Sequence, residues 1–352
     1  MKTIIKRMNR DNLSSDDFKD AVDLLKEGQL VAFPTETVYG LGGDALDKTA
    51  AKRIYEAKGR PSDNPLIVHI ANIEALKELA VKVPEEAYRL ADAFWPGPLT
   101  MILKKSELVP RETTGGLDTV AIRMPSDEIA RRLIEESGLY LAAPSANKSG
   151  RPSTTKAEHV IEDLDGSVSM IIDGGSSTIG LESTIVDLTG ENPVILRPGF
   201  ITREMLNQCI TGTEYDQAVL KREKSDPVVA KAPGMKYRHY APKGQLTIYA
   251  GDTNRVIKAI NEAAKLKLEE GFHVGILATE ETKNCYLYGE VKSIGTRKME
   301  ETIAAHLFEC LREFDTSDAA YIFSESFDDK FLGQAIMNRL LKAAGYQVVT
   351  IE

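Results

Sequence analysis

Cysteine is scarce in this chain of 352 residues. Cys209, Cys285 and Cys310 are odd in number, widely spaced and without a CxxC pair, which suggests neither a disulfide framework nor a zinc site. The five histidines (His69, His159, His239, His273 and His306) form no HExxH. No apolar run approaches the roughly 20 residues of a spanning helix. The N-terminal MKTIIKRMNRDNL is broken by charge every few residues, unlike a signal peptide. Walker A, kinase-loop and nucleophile-elbow patterns are missing, which removes the familiar ATP folds. The net charge of -9 argues against a chain that is basic all over, though not against local basic patches. Together these absences lead to the expectation of a reduced cytoplasmic protein with no membrane association.

Present instead is an ordinary enzyme-like composition, 42% hydrophobic and 28% charged, at a length that accommodates about two domains of roughly 100–200 residues. Strand and helix patterns alternate from the start. Helices are predicted at Asp16–Glu27, Lys48–Lys58, Ile73–Leu79, Glu85–Phe94 and Glu128–Ser137. Strands are predicted at Leu30–Phe33, Leu66–Ile70, Leu99–Leu103, Val120–Ile122, Leu139–Ala142, Met170–Asp173 and Thr184–Asp187. This pattern predicts an α/β domain over residues 1–210, a twisted open sheet with helices packed on it. Residues 211–244 lose apolar periodicity and are expected to form an interdomain linker or lid. From 245 to 352 a second, smaller set of alternating strands and helices predicts a Rossmann-like domain. That domain lacks GxGxxG, so its outline carries no dinucleotide claim.

Several segments concentrate the chemistry. PTETVYGLGG (Pro34–Gly43) places Thr35, Glu36 and Thr37 between a strand and a glycine-rich turn; it reads as a ligand loop or a hydroxyl-rich cap. KGRPSDNPL (Lys58–Leu66) sets Lys58 and Gly59 at a helix end, where both are common. Arg60 follows, stiffened by Pro61 and Pro65 and of the type that grips phosphate or carboxylate through two bonds. His69 is a satisfied sheet histidine or a site residue. Arg123, in LDTVAIRMP, is a surface charge or a carboxylate clamp. LAAPSANKSGRPS (Leu141–Ser153) emits Ser145, Asn147, Ser149 and Ser153 as neutral hydrogen-bonding groups suited to a nucleotide pocket. DGGSSTIGLESTIVDL repeats that pattern, with Glu182, Ser183 and Thr184 entering a strand, and ILRPGF adds Arg197.

Taken in order, PTETVYGLGG, KGRPSDNPL, LDTVAIRMP, APSANKSGRPS, ESTIVDL, LRPG and PGMKYRHYAP resemble one family. It is that of the threonylcarbamoyl-AMP synthases, in the long form with a YrdC-type catalytic domain followed by a C-terminal domain. The resemblance implies synthesis of L-threonylcarbamoyladenylate from L-threonine, bicarbonate or carbon dioxide, and ATP, with release of pyrophosphate. The product would feed N6-threonylcarbamoyladenosine modification of tRNA through a downstream threonylcarbamoyl transferase. Carried over by motif, Thr37, His69, Arg123, Ala143 (by main chain) and Ser183 fall on L-threonine positions. Arg60, Asn64, Thr119, Ser145, Ser153 and Arg197 fall on ATP positions, and Asn147 completes the SxN element. Lys58 joins Arg60 as the KxR pair given a catalytic role. PGMKYRHYAP resembles an interdomain loop that folds over the site, with Tyr237 against nucleotide and Arg238 and His239 nearby. Mg2+ is expected to accompany ATP without dedicated protein ligands.

Two other classes compete. A double-stranded RNA or tRNA binder would use Lys52, Arg53, Lys58 and Arg60 as a basic patch, and its affinity would fall steeply with salt. A carbamoyl-transfer enzyme is expected to carry zinc-finger and acylphosphatase-like segments, which this sequence lacks.

Overall fold

A computed structural model describes residues 2–220, 232–233 and 239–352. The predicted helices Lys48–Lys58, Glu85–Phe94 and Glu128–Ser137 form with the expected bounds. In Glu128–Ser137, Ile129, Ala130, Leu133 and Ile134 recur at helical spacing and are buried. Asp127 accepts hydrogen bonds from the amides of Ile129 and Ala130, and Gly138 ends the helix at φ 65°. Asp47 caps Lys48–Lys58 in the same way, and Gly59 turns left-handed at φ 59°. That turn fixes where Lys58 and Arg60 go.

The first large sheet has eleven strands. In spatial order they are Ile4–Arg7, Met170–Asp173, Val31–Phe33, Gly40–Asp44, Leu141–Ala142, Ile67–His69, Thr119–Arg123, Leu99–Lys104, Thr184–Asp187, Val194–Arg197 and Glu214–Tyr215. Gly40–Asp44, expected as a glycine-rich turn, is a strand antiparallel to Val31–Phe33, with PTETVY as the connecting loop. Its glycines answer to packing: a Cβ on Gly42 would sit 2.6 Å from the Phe33 ring. The polar stretch after residue 210 begins inside this sheet, because Glu214–Tyr215 pairs in parallel with Val194–Arg197 at its edge. A polar composition suits an edge strand with one side in water.

Strand register brings distant side chains into one row. His69 pairs with Arg123, Arg123 with Thr100, Thr100 with Ile185, and Ile185 with Arg197. Paired residues point to the same face of a sheet, so His69, Arg123, Thr100 and Arg197 share one face across five strands. Two residues further along, Ile67, Ala121 and Ile102 turn that face apolar, and Ile185, Leu196 and Ala232 pack with them, Leu196 at the register shift between Ile195 and Arg197. Each fully buried Ile or Leu of such a face contributes about 1.5–3 kcal/mol.

The second sheet is parallel throughout and has five strands, ordered Glu290–Ser293, Val274–Ala278, Tyr321–Glu325, Gln245–Gly251 and Val348–Ile351. Thr253–Glu269 covers one face through Val256, Ile260 and Ala264. Glu300–Thr316 and Phe331–Ala343 cover the other. This doubly wound arrangement agrees with the expected Rossmann-like outline, with the fourth strand in chain order lying between the first two. The two domains share a core, since Val38 and Leu181 of the first pack among Leu307, Phe308 and Ile336 of the second. The approach is close: a Cβ on Gly180 would lie 2.5 Å from Ala305 Cα. Among the described residues no helix is long and apolar enough to cross a membrane.

Candidate active site

One cavity collects the predicted segments. It is lined by Thr37, Lys58, Arg60, His69, Arg123, Ala143, Ser145, Asn147, Ser153 and Arg197, together with Glu182 and Tyr240. The PTETVY loop forms one wall and is folded by Thr35, whose hydroxyl donates to the Val38 carbonyl at 2.6 Å and accepts from the Thr37 amide at 3.2 Å.

Arg123 is buried at the end of its strand. Its Nη1 donates to Thr37 Oγ1 at 2.8 Å, and its Nη2 stands 2.7 Å from Glu36 Oε1. The Glu36 ion pair occupies Nη2, and Nε has no partner among the described residues. That N–H is the group of the guanidinium left to donate to a carboxylate. Burial pushes the Glu36 carboxyl up, but the Arg123 charge beside it outweighs this and holds it below the ordinary value. Burial, helped by Arg123, lowers His69 to about 3, so its imidazole is neutral at physiological pH. One ring nitrogen, Nδ1, lies 3.1 Å from the Ile67 carbonyl.

On the opposite wall, Lys58 is buried and donates to the carbonyls of Ser145 and Asn147. Its own carbonyl accepts from the Ser149 amide at 2.8 Å, so the lysine pins the SxN loop at both ends. Burial, with Arg60 nearby, drives the Lys58 ammonium well below its ordinary value. Arg60 Nη2 donates to the Pro65 carbonyl at 3.1 Å, and burial lowers its guanidinium to about 10, still charged at neutral pH. Asn147 spends its Nδ2 on the carbonyls of Lys148 and Arg151, leaving Oδ1 without a partner among the described residues. Ala143 donates its amide to the Ile67 carbonyl at 2.9 Å, so a main-chain contact to a ligand falls to its carbonyl. Arg197 donates from Nε to the Ser183 carbonyl at 2.9 Å and from Nη2 to Ser183 Oγ at 3.0 Å.

Three expected residues lie off the lining. Ser183 sits behind the wall, shared between Thr100 and Arg197, and positions the arginine. Asn64 is fully buried, with neither polar atom of its amide hydrogen-bonded. Thr119 is on the same strand face as Arg123, four positions away and about 13 Å along the sheet. Tyr237 and Arg238, expected in the lid, lie outside the described residues. Their neighbours tie the segment to both domains: Tyr240 stacks 5.1 Å from the Phe308 ring, and the Ala241 amide donates to the Gly150 carbonyl at 2.9 Å.

Sequence reasoning assigned no role to two carboxylates, Glu36 and Glu182, or to the arginines that reach across from the second domain, Arg312 and Arg339. The acids were visible within their motifs. The arginines sit in amphipathic helices, where a cation ordinarily faces water, and nothing nearby marks them.

Comparison with known proteins follows this geometry. Residues 23–199 match the Sua5/YciO/YrdC family, described as "Telomere recombination", and residues 201–345 match the family "Threonylcarbamoyl-AMP synthase, C-terminal domain". The chain is 50% identical over 331 residues to a threonylcarbamoyl-AMP synthase of Pyrococcus abyssi, covering 94% of this chain and 95% of the relative. A Bacillus subtilis protein of the same name is 50% identical over 343 residues, covering 96% of each. The crystal structure of P. abyssi Sua5 complexed with L-threonine superposes with a TM-score of 0.93 at 48% identity, over 99% of this chain and 100% of that one. Over its two domains, the chain belongs to the threonylcarbamoyl-AMP synthase family.

Proposed function

We propose that this chain is an L-threonylcarbamoyladenylate synthase, joining L-threonine, bicarbonate or carbon dioxide, and ATP, and releasing pyrophosphate. The observation that carries this reading is the meeting of Lys58, Arg60, Arg123 and Arg197 in one cavity with no cysteine in its lining. The reaction needs cations and no protein nucleophile. The threonine amine takes up carbon dioxide to give a carbamate, whose oxygen attacks the α-phosphorus of ATP. The bond from that phosphorus to the bridging oxygen breaks, and pyrophosphate leaves with the electron pair. The protein's task is to hold two anions in line and to stabilise charge where it develops.

In this reading Arg123 receives the threonine carboxylate, with Thr37, His69 and the Ala143 carbonyl around the rest of the amino acid and Ser183 behind them. Lys58, Arg60 and Arg197 face the phosphates. Ser145, Asn147 and Ser153 serve the nucleotide, joined by Asn64, Thr119 and the Tyr237 of the lid. Mg2+ enters with ATP as part of that substrate. Among the described residues the one carboxylate in the lining, Glu182, is engaged by Arg339 and Ser153, so phosphate oxygens and water supply the ion's ligands. The product is an activated mixed anhydride, which a tRNA-modifying threonylcarbamoyl transferase would consume in the cytoplasm. Any contact of this chain with RNA would belong to that transfer.

The test is pyrophosphate release by the purified protein, with and without L-threonine and bicarbonate, and with L-serine as control. Release that requires both additions and prefers threonine is expected. No release, with salt-sensitive RNA binding in its place, would restore the binder.

A further inference from the structure

The second domain sends one side chain to the back of the cavity. Arg339 lies on Phe331–Ala343 and is completely buried. Its Nε donates to Glu182 Oε2 at 2.9 Å, its Nη2 to the Glu182 carbonyl at 3.2 Å, and its Nη1 to the Pro198 carbonyl. The other carboxylate oxygen of Glu182 accepts the proton of Ser153 Oγ. Glu182 and Ser153 both line the cavity. Arg339, Glu182 and Ser153 therefore form one hydrogen-bonded line from the core of the second domain to the nucleotide side of the first.

Burying an arginine across a domain boundary carries a large desolvation cost, and an apolar side chain would fill the space with less. The return is electrostatic. A bare carboxylate in the wall of a polyphosphate pocket repels its ligand, and Arg339 cancels that charge. The same contact fixes a direction. With its proton held on Glu182, the Ser153 oxygen turns its lone pairs outward, ready to accept from an amine or hydroxyl of the nucleotide.

We propose that Arg339 is a positioning residue for ATP, acting through Glu182 to neutralise the cavity wall and to orient Ser153. Nucleotide binding in this chain then depends on the docked second domain. This inference rests on the synthase reading of the cavity.

The experiment uses the full chain with Arg339→Met, Arg339→Lys and the double variant Glu182→Gln/Arg339→Met. Pyrophosphate release gives KM for ATP and for L-threonine separately, equilibrium dialysis gives the Kd of ATP, and thermal melting reports the fold. Arg339→Met should raise the ATP KM and Kd about tenfold or more, with the threonine KM within about twofold of the parent. Arg339→Lys, which keeps the charge but loses the fork, should fall between. In the double variant no carboxylate is left uncompensated, so ATP affinity should recover at least threefold over Arg339→Met. Equal losses for both substrates, or no recovery in the double variant, would overturn the proposal and leave Arg339 a packing residue. If Arg339→Met fails to fold, the lysine variant decides: an unchanged ATP Kd counts against the proposal. A parent protein that binds ATP but releases no pyrophosphate would sink the synthase reading, and the dialysis arm would still judge Arg339.

Discussion

Arg123 holds Thr37 by a 2.8 Å hydrogen bond and faces Glu36 across a 2.7 Å ion pair, with all three side chains buried. The guanidinium is thus oriented by the PTETVY loop before any ligand arrives, and its Nε has no partner among the described residues. Preorganisation of this kind lets a carboxylate bind without first ordering its receptor.

Arg123→Ala should raise the threonine requirement far more than the ATP requirement. Truncating one partner of a buried charge pair costs about 2–5 kcal/mol, which corresponds to a loss of about 30-fold or more. Steady-state kinetics with each substrate varied in turn checks it, and equal effects on the two would contradict the assignment.

Lys58 and Arg60 are two residues apart yet should respond differently to substitution. Among the described residues, Lys58 donates to two carbonyls of the SxN loop, whereas Arg60 donates only to the Pro65 carbonyl. Lys58→Met leaves those buried carbonyls without their donor, each at about 1–3 kcal/mol, so melting temperature and turnover should fall together. Arg60→Ala should lower kcat/KM for ATP by about 100-fold with little change in melting. The reverse pattern would exchange their roles.

Much of this site was legible because its chemistry departs from helix and strand periodicity. Arg60, followed by Pro61 and Pro65, and the run of hydroxyls and amides after Leu141 have no purely apolar explanation, and the structure brings both to the cavity. Two of the strands missed in the sequence were hidden for opposite reasons. Gly40–Asp44 has almost no side chains to show a pattern, and its identity comes from the Phe33 ring lying across it. Ile4–Arg7 reads as a charged terminus, and it becomes a strand only through its pairing with Met170–Asp173. Arg339 was invisible because its partner, Glu182, lies 157 positions away in the chain.

Stability should fall with acid through His69. Its folded value of about 3 lies below its ordinary 6.5, so as pH drops through that window the unfolded chain takes a proton that the native one refuses. The contribution is complete above about pH 6.5 and declines by up to about 1.4 kcal/mol per pH unit below it. His239, also depressed to about 3 by burial, adds a parallel loss. Urea midpoints measured from pH 7 to 4 should fall less steeply for His69→Asn than for the parent. An unchanged slope would mean that His69 charges in the native state.

The last prediction concerns the domain seam. Asp163 is buried on helix Ala157–Leu164 and accepts from Arg312 Nη2 of the second domain at 2.8 Å, while Arg151 of the first domain binds its other oxygen. Arg312 also donates to the Pro152 carbonyl at 2.6 Å, one residue before Ser153. Removing one member of a buried ion cluster costs about 3–5 kcal/mol, because the others stay desolvated and unpaired. Asp163→Asn should therefore lower the urea midpoint sharply, and 0.5 M salt, although it cuts the Debye length to roughly 4 Å, should not reproduce that loss in the parent. The damage should extend to nucleotide binding, since Arg312 holds the backbone on which Ser153 stands. A variant that loses stability but keeps the parent's ATP Kd would show that the seam and the site are independent.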